Sequence, residues 1–142
     1  MNRQSNPSSK TQHFYLRLAR EHAVCPSDHK THPVGIIAFR KTEDGKLRVA
    51  GSMVSKKDMF LKKAAIGIVT GRLNSKAACE YTPGSLSLSS AEEVAADVGL
   101  YTEKANYFNE VDWTEADKTL RTALDIYNKR LAEDSQLSPV SA

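Results

Sequence analysis

Lys56 and Lys57 follow Ser55 at the point where an apolar, β-branched run gives way to a segment with helical character, SKKDMFLKKAAIGIVTGRL. The first amides of a helix have no partner inside it and carry the positive end of the helix dipole, so two ammonium groups there would favour a phosphate. Arg72, between Gly71 and Leu73, adds a guanidinium able to grip phosphate or carboxylate with two parallel hydrogen bonds. Arg40 and Arg48 flank a turn just upstream and would assist from there. Of the aromatic residues, Tyr107 lies in an irregular link where an exposed ring could stack on a base. Ser55 and Asp58 compete with this reading, because a serine and an acidic residue three positions on also form a capping box that uses the same amides, leaving the lysines as a solvated face.

A second group, His22, Cys25, His29 and His32, puts four borderline metal ligands within eleven residues. Zinc accepts such ligands, but the cluster has neither a CxxC nor an HxxxH pair, and a solvated polar loop explains it more simply. No metal or other cofactor is therefore expected. Catalytic signatures are missing: there is no GxSxG elbow, no GxxxxGK[ST] loop, no GxGxxG after a strand and no HExxH. Cys25 and Cys79 are isolated thiols, and the acidic pairs Glu92-Glu93 and Asp112/Glu115 fall where helix starts explain them. The residues point to a non-enzymatic binding protein.

Composition sets the frame for these groups. Of 142 residues, 40% are hydrophobic and 26% charged, which suits one globular domain with a real core. The longest apolar run falls well short of a membrane span, no signal peptide is visible in MNRQSNPSSKTQ, and two cysteines define no disulfide framework, so a cytoplasmic protein with no membrane contact is expected. The net charge of +3 hides an asymmetry: residues 1–80 hold 15 Lys/Arg against 6 Asp/Glu, a net +9, and residues 81–142 hold 5 against 11, a net −6. A basic half suits an anionic small molecule or nucleic acid, and opposite halves equally suit a homo-oligomer in which basic meets acidic.

The elements follow from pattern. Residues 1–12 and 134–142 read as polar tails around a single domain, 13–133. HFYLRLAREHAV (13–24) mixes strand alternation with helical spacing, and a strand through Arg20 is the preferred reading. Asp44-Gly45 between VGIIAFRK (34–41) and KLRVAGSMVS (46–55) predicts a β-hairpin with a type I′ turn. A helix over 56–74 should pack on the hairpin, with Gly67 and Gly71 marking close approach and its other apolar residues calling for a second cover. SLSLS (85–89) alternates like an edge strand. Ser90 and Glu93 form a capping box, Gly99 ends that helix, and Asp112 and Glu115 open a long amphipathic helix built on Trp113, Ala116, Leu120, Ala123, Leu124, Tyr127 and Leu131. The fold class expected is α+β: a small antiparallel sheet built on the hairpin, packed on the 56–74 helix, with a mainly helical C-terminal half.

A strand followed by Ser55-Lys56-Lys57-Asp58, Phe60, Lys62-Lys63, Gly67 and Gly71-Arg72-Leu73 resembles small bacteriophage proteins of this plan, the Thoeris anti-defence sponges among them. That resemblance implies an oligomer that sequesters a cyclic nucleotide signal of host immunity. It covers about 25 residues and assigns no ligand contacts one by one. The expected function is sequestration of a phosphorylated or nucleotide ligand. The alternatives are nucleic-acid binding, with Arg3 and Lys10 of the tail joining the hairpin, and inhibition of a host complex, or a virion role, through the long C-terminal helix.

Overall fold

The computed structural model describes residues 11–19, 33–56, 58–101 and 106–137. Four strands form one antiparallel sheet in the order β1-β2-β3-β4: β1 (Thr11–Arg17), β2 (Pro33–Lys41), β3 (Leu47–Met53) and β4 (Cys79–Tyr81). Among the described residues, four α-helices accompany it: α1 (Lys62–Leu73), α2 (Pro83–Leu88), α3 (Ala91–Asp97) and α4 (Trp113–Leu137), with a 3-10 turn at Phe108–Glu110. This is the expected α+β class with a helical C-terminal half. Strand β1 starts inside the stretch read as a tail, and α4 runs to Leu137, inside the other.

Alternation along the strands decides the layering, because successive side chains leave a sheet on opposite faces. Phe14, Leu16, Ile37, Phe39, Leu47 and Val49 enter one buried cluster with residues of α2, α3 and α4. Ile36, Ala38 and Ala50 enter another with Ala65, Val69 and Leu73 of α1. The sheet is thus apolar on both faces, and the molecule has three layers, α1, sheet, and α2–α4. Leu16 pairs with Gly35 but Arg17 with Pro33, so Val34 is an extra residue in β2 and bulges the ladder beside the edge strand.

The hairpin forms, with a different turn. Thr42 N–H donates to Lys46 at 2.7 Å and Gly45 N–H donates to Thr42 at 3.1 Å, enclosing a three-residue loop. Gly45 has φ +86° while Asp44 has a negative φ, so the pair does not adopt a type I′ geometry. A three-residue loop with glycine in the left-handed region is the next common hairpin solution.

The first helix starts later than its sequence suggests. Ser55 Oγ donates to the Asp58 carboxylate at 2.8 Å, and Asp58 N–H donates to Ser55 O at 3.1 Å, closing a turn instead of a capping box. Ser55 also bridges to Asn106, and Phe60 turns in against Tyr15, ring centroids 6.0 Å apart. These tertiary ties hold Ser55 and Phe60 out of a helix, and α1 opens at Lys62 behind Leu61, which supplies no side-chain cap.

Downstream, SLSLS is helical, not an edge strand. Thr82 Oγ1 accepts from Ser85 N–H at 3.2 Å and Pro83 takes the first helical position, the usual place for a proline that starts a helix. Leu86 is buried and Leu88 exposed, a separation that a strand would not allow two positions apart. Ser90 and Glu93 form the expected reciprocal capping box, and Gly99 ends α3 at φ +87°. Asp112 Oδ1 accepts from Glu115 N–H at 3.0 Å at the head of α4, whose Ala116, Leu120, Ala123, Leu124 and Tyr127 are buried.

Gly67 and Gly71 do not mark close packing, since a Cβ built on either meets nothing within 4 Å. Gly35 does: its Cβ would stand 3.0 Å from the Ser52 carbonyl oxygen and 3.2 Å from the Leu16 side chain. Alanine should therefore act in opposite directions at these positions. Gly67→Ala is expected to stabilise by about 0.5–1 kcal/mol through helix propensity, and Gly35→Ala to destabilise by about 1–3 kcal/mol through overpacking, both read by urea denaturation.

Candidate functional site

The three arginines expected to bind phosphate converge on the seam between α1 and the sheet, where their donors meet protein oxygens. Arg48, half-buried on the α1 side of β3, donates from Nε to Leu73 O at 2.8 Å and from Nη2 to Ser75 O at 2.6 Å. Its Nη1 meets Glu80 Oε2 of β4 at 3.1 Å. The last carbonyls of a helix lack intrahelical partners and carry the negative end of its dipole, so a guanidinium arriving from the sheet closes that end. Arg72 Nη1 donates to Gly51 O of β3 at 2.7 Å, and Arg40 Nη2 donates to Asn74 Oδ1. All three tie the C-terminal end of α1 to the sheet.

Lys56 is held elsewhere. Its ammonium pairs with Glu110 and lies 5.8 Å from the centroid of the Tyr107 ring. The fold thus brings together a residue expected to hold phosphate and the residue expected to stack a base, from segments about a third of the chain apart. It does so without a helix N-terminus, because α1 begins six residues later. Lys57 lies outside the described residues, as do His22, Cys25, His29 and His32. Among the described residues, no group of three or more His, Cys, Asp or Glu is placed to hold a metal.

The fold assembles two further aromatic contacts. Tyr101 is exposed and stacks edge-on against Phe108, centroids 5.2 Å apart, and Phe108 in turn meets Trp113 at 4.9 Å. Trp113 Nε1 donates to Phe108 O at 3.0 Å, which fixes this aromatic stack to the start of α4. Beside it a shallow groove of about 360 Å³ is lined by Ser90, Glu92, Glu93, Ala96, Tyr101 and Asn109. On the α1 face, Lys62 Nζ lies 5.1 Å from the Tyr15 ring centroid, and His13 meets the same ring edge-on at 5.6 Å. The alternation of β1 places His13 and Tyr15 together on that face, a relation that becomes visible once 11–17 is known to be a strand.

Chemistry by Cys79 is disfavoured by its surroundings. Its Sγ donates to Asp97 O at 3.0 Å, and burial, helped by the Asp97 charge, pushes the thiol pKa up, whereas a nucleophile needs it lowered. Tyr81 donates to the Asp97 carboxylate, and burial together with that hydrogen bond raises its phenol well above the ordinary value.

Comparison of the chain with protein-family models, curated proteins and solved structures found no match. Among the described residues no helix is long and apolar enough to cross a membrane. The fold and the site define a class and no more: an α+β protein whose basic groups are arranged around a sheet–helix seam and around a lysine–tyrosine corner.

Two outcomes follow from these contacts. Arg48→Ala should cost about 1–3 kcal/mol in chemical denaturation by removing the guanidinium donor of the Leu73 carbonyl and leaving the Ser75 carbonyl with the Ala78 N–H alone, and Arg48→Lys should recover only part, because one ammonium cannot reach both carbonyls and Glu80. For Tyr81 the raised pKa means that the fold retains the neutral phenol. Its contribution is complete below the ordinary tyrosine value of about 10 and is lost as pH rises past it, so the melting temperature should fall more steeply above that pH in the native protein than in Tyr81→Phe. Tyr127, also raised by burial, should account for part of the residual slope.

Proposed function

We propose that this protein is a non-enzymatic binding protein that holds a phosphorylated small molecule or nucleotide at the corner formed by Lys56, Tyr107 and Glu110. The observation that carries the reading is the Lys56 ammonium beside the Tyr107 ring, 5.8 Å from its centroid. A phosphate displacing the Glu110 carboxylate would take over the ammonium, and a base would lie against the half-buried ring, which is sequence-tolerant stacking. Both Lys56 and Glu110 keep part of their surface in water, so the existing pair is weak and exchangeable.

The likeness of the Ser55–Leu73 segment to phage anti-defence sponges adds the biological half of the proposal: sequestration of a nucleotide signal in the cytoplasm of an infected cell. It supplies the homo-oligomer as well. The engaged state of Arg40, Arg48 and Arg72 argues against the nucleic-acid alternative, which needs a row of available cations along the backbone. A second reading, protein binding, is favoured by the apolar residues Met59, Leu61, Ile66 and Ile68 that α1 and its approach leave exposed.

Titration calorimetry with linear and cyclic mono- and dinucleotides, and with inorganic phosphate, tests the reading. A nucleotide should bind with modest salt dependence, lose about tenfold or more in affinity in Lys56→Ala and in Tyr107→Ala, and bind more tightly in Glu110→Gln. Unchanged affinity in all three variants, or no binding by any nucleotide, sinks it. A steep loss of duplex or single-strand binding with salt would instead favour nucleic acid.

A further inference from the structure

We infer that the free edge of β1 takes an extended peptide segment of a partner protein as a further strand of the sheet. Hydrogen bonds fix which way β1 points its peptide groups. Asp112 N–H donates to Arg17 O and Ala19 N–H to Glu110 O, each at 2.9 Å, around the Leu18–Val111 bridge. Arg17 thus turns its peptide groups away from β2, and because a strand alternates, Thr11, His13 and Tyr15 do the same. Gln12, Phe14 and Leu16 are the residues that ladder with Phe39, Ile37 and Gly35. Among the described residues nothing pairs with the outward amides and carbonyls of Thr11, His13 and Tyr15. Such a row is a template for another strand.

The opposite edge is guarded. There β4 is only three residues long, and past its end the Arg72 guanidinium takes the Gly51 carbonyl of β3. By contrast β1 is seven residues long and has neither proline nor lysine, the usual guards of an edge. Beside it runs a groove of about 280 Å³, lined on one side by His13, Tyr15 and Arg17 and on the other by Asp112, Glu115 and Thr119 at the head of α4. Tyr15 packs on the α1 side of the sheet, whereas α4 covers the other side. A groove lined by both passes round the open edge of the strand, and an incoming backbone would lie in it.

The backbone chooses the occupant. The open stretch, Thr11 to Tyr15, spans about 17 Å at ~3.4 Å per residue, and residues 110–112 block the ladder beyond it. That is the length of a short linear segment, with no proline at the laddering positions. Its side chains on one face would lie beside the His13 and Tyr15 rings, which favours β-branched or aromatic residues there. Those on the other face would meet Glu115 and Thr119, which favours polar ones. Charge sorts little, since Arg17 shares the groove with Asp112 and Glu115. The β1 strand of a second copy fits less well: in an antiparallel pair both α4 helices would fall on the same side of the sheet, helix against helix beside the groove. This inference does not depend on Lys56 or Tyr107.

Amide hydrogen exchange of the full chain by NMR reads the edge directly: the His13 and Tyr15 amides should exchange fast, and those of Phe14 and Leu16 slowly. Random octapeptides selected by display should then yield binders with a Kd of about 1–100 μM by fluorescence anisotropy, and the bound peptide should protect the His13 and Tyr15 amides. Methylating the peptide's backbone nitrogens at alternate residues should abolish binding, while methylating the intervening ones leaves it. His13 is exposed, so His13→Pro should keep the fold by circular dichroism and weaken binding about tenfold or more, whereas His13→Ala binds as the native chain does. Thr119→Trp, which fills the groove from α4 without touching the strand, should act as the proline does. Three results would each overturn the inference: slow exchange of the His13 and Tyr15 amides in the free protein, where the chain itself or a second copy already covers the edge; no octapeptide binder; or binding indifferent to backbone methylation and to Thr119→Trp.

Discussion

The sheet is apolar on both faces, and most other features follow from the need to cover it twice. In β2 the run Val34 to Phe39 is buried throughout, with Ile37 and Phe39 on one side and Ile36 and Ala38 on the other. A half-solvated antiparallel sheet would alternate apolar and polar; this one does not, which commits the chain to helices on each side. The C-terminal half supplies one cover generously, with α3 and α4 contributing Val94, Leu120, Leu124 and Tyr127. Among the described residues the other cover is a single helix with three buried side chains. That imbalance explains why polar groups have to help.

The help comes from arginines. At about 25 cal/mol per Å² of apolar area, Ala65, Val69 and Leu73 make a narrow attachment for a twelve-residue helix. Arg48, Arg72 and Arg40 add charge-assisted hydrogen bonds at the same seam, each from one partner to the other: sheet to helix end for Arg48 and Arg40, helix to sheet for Arg72. A guanidinium suits this work better than an ammonium, because its fixed fork reaches two carbonyls and a carboxylate at once. Basic residues that look like a ligand site in one dimension are therefore partly mechanical in three. Lys56 differs because its partner is one exchangeable carboxylate and its neighbour is a ring.

Local signals were legible where local chemistry decided the outcome. Ser90/Glu93, Gly99, Asp112/Glu115 and the three-and-four spacing of α4 could be read directly, since caps and amphipathic faces are written within a few residues. Misreadings fell where a distant partner won. Ser55 and Asp58 have capping-box spacing, yet the bridge to Asn106 and the Lys56–Glu110 pair hold that turn out of the helix. The alternation of SLSLS suggested a strand, whereas Thr82-Pro83 was the stronger signal and lay just upstream. Asp44-Gly45 announced a hairpin, but the turn type depended on how Thr42 and Lys46 paired. In the site, residue types were visible and their meeting was not: nothing in the spacing of residues 56 and 107 says that their side chains touch.

The charge asymmetry along the chain acquires a spatial meaning from this arrangement. Had the basic and acidic halves packed with their charges facing, they would have neutralised one another inside one molecule. Instead the sheet separates α1 from α3, a dielectric wall with helices of opposite sign on its two sides. Like charges concentrated on one helix cost free energy through self-repulsion, and water and salt relieve only part of it. Internal pairing already occurs where geometry permits, at Arg48–Glu80 and Lys56–Glu110. Lys62 and Lys63 are not in such pairs among the described residues, and the acidic residues of α3 stand on the far side of the sheet, so α3 does not neutralise them.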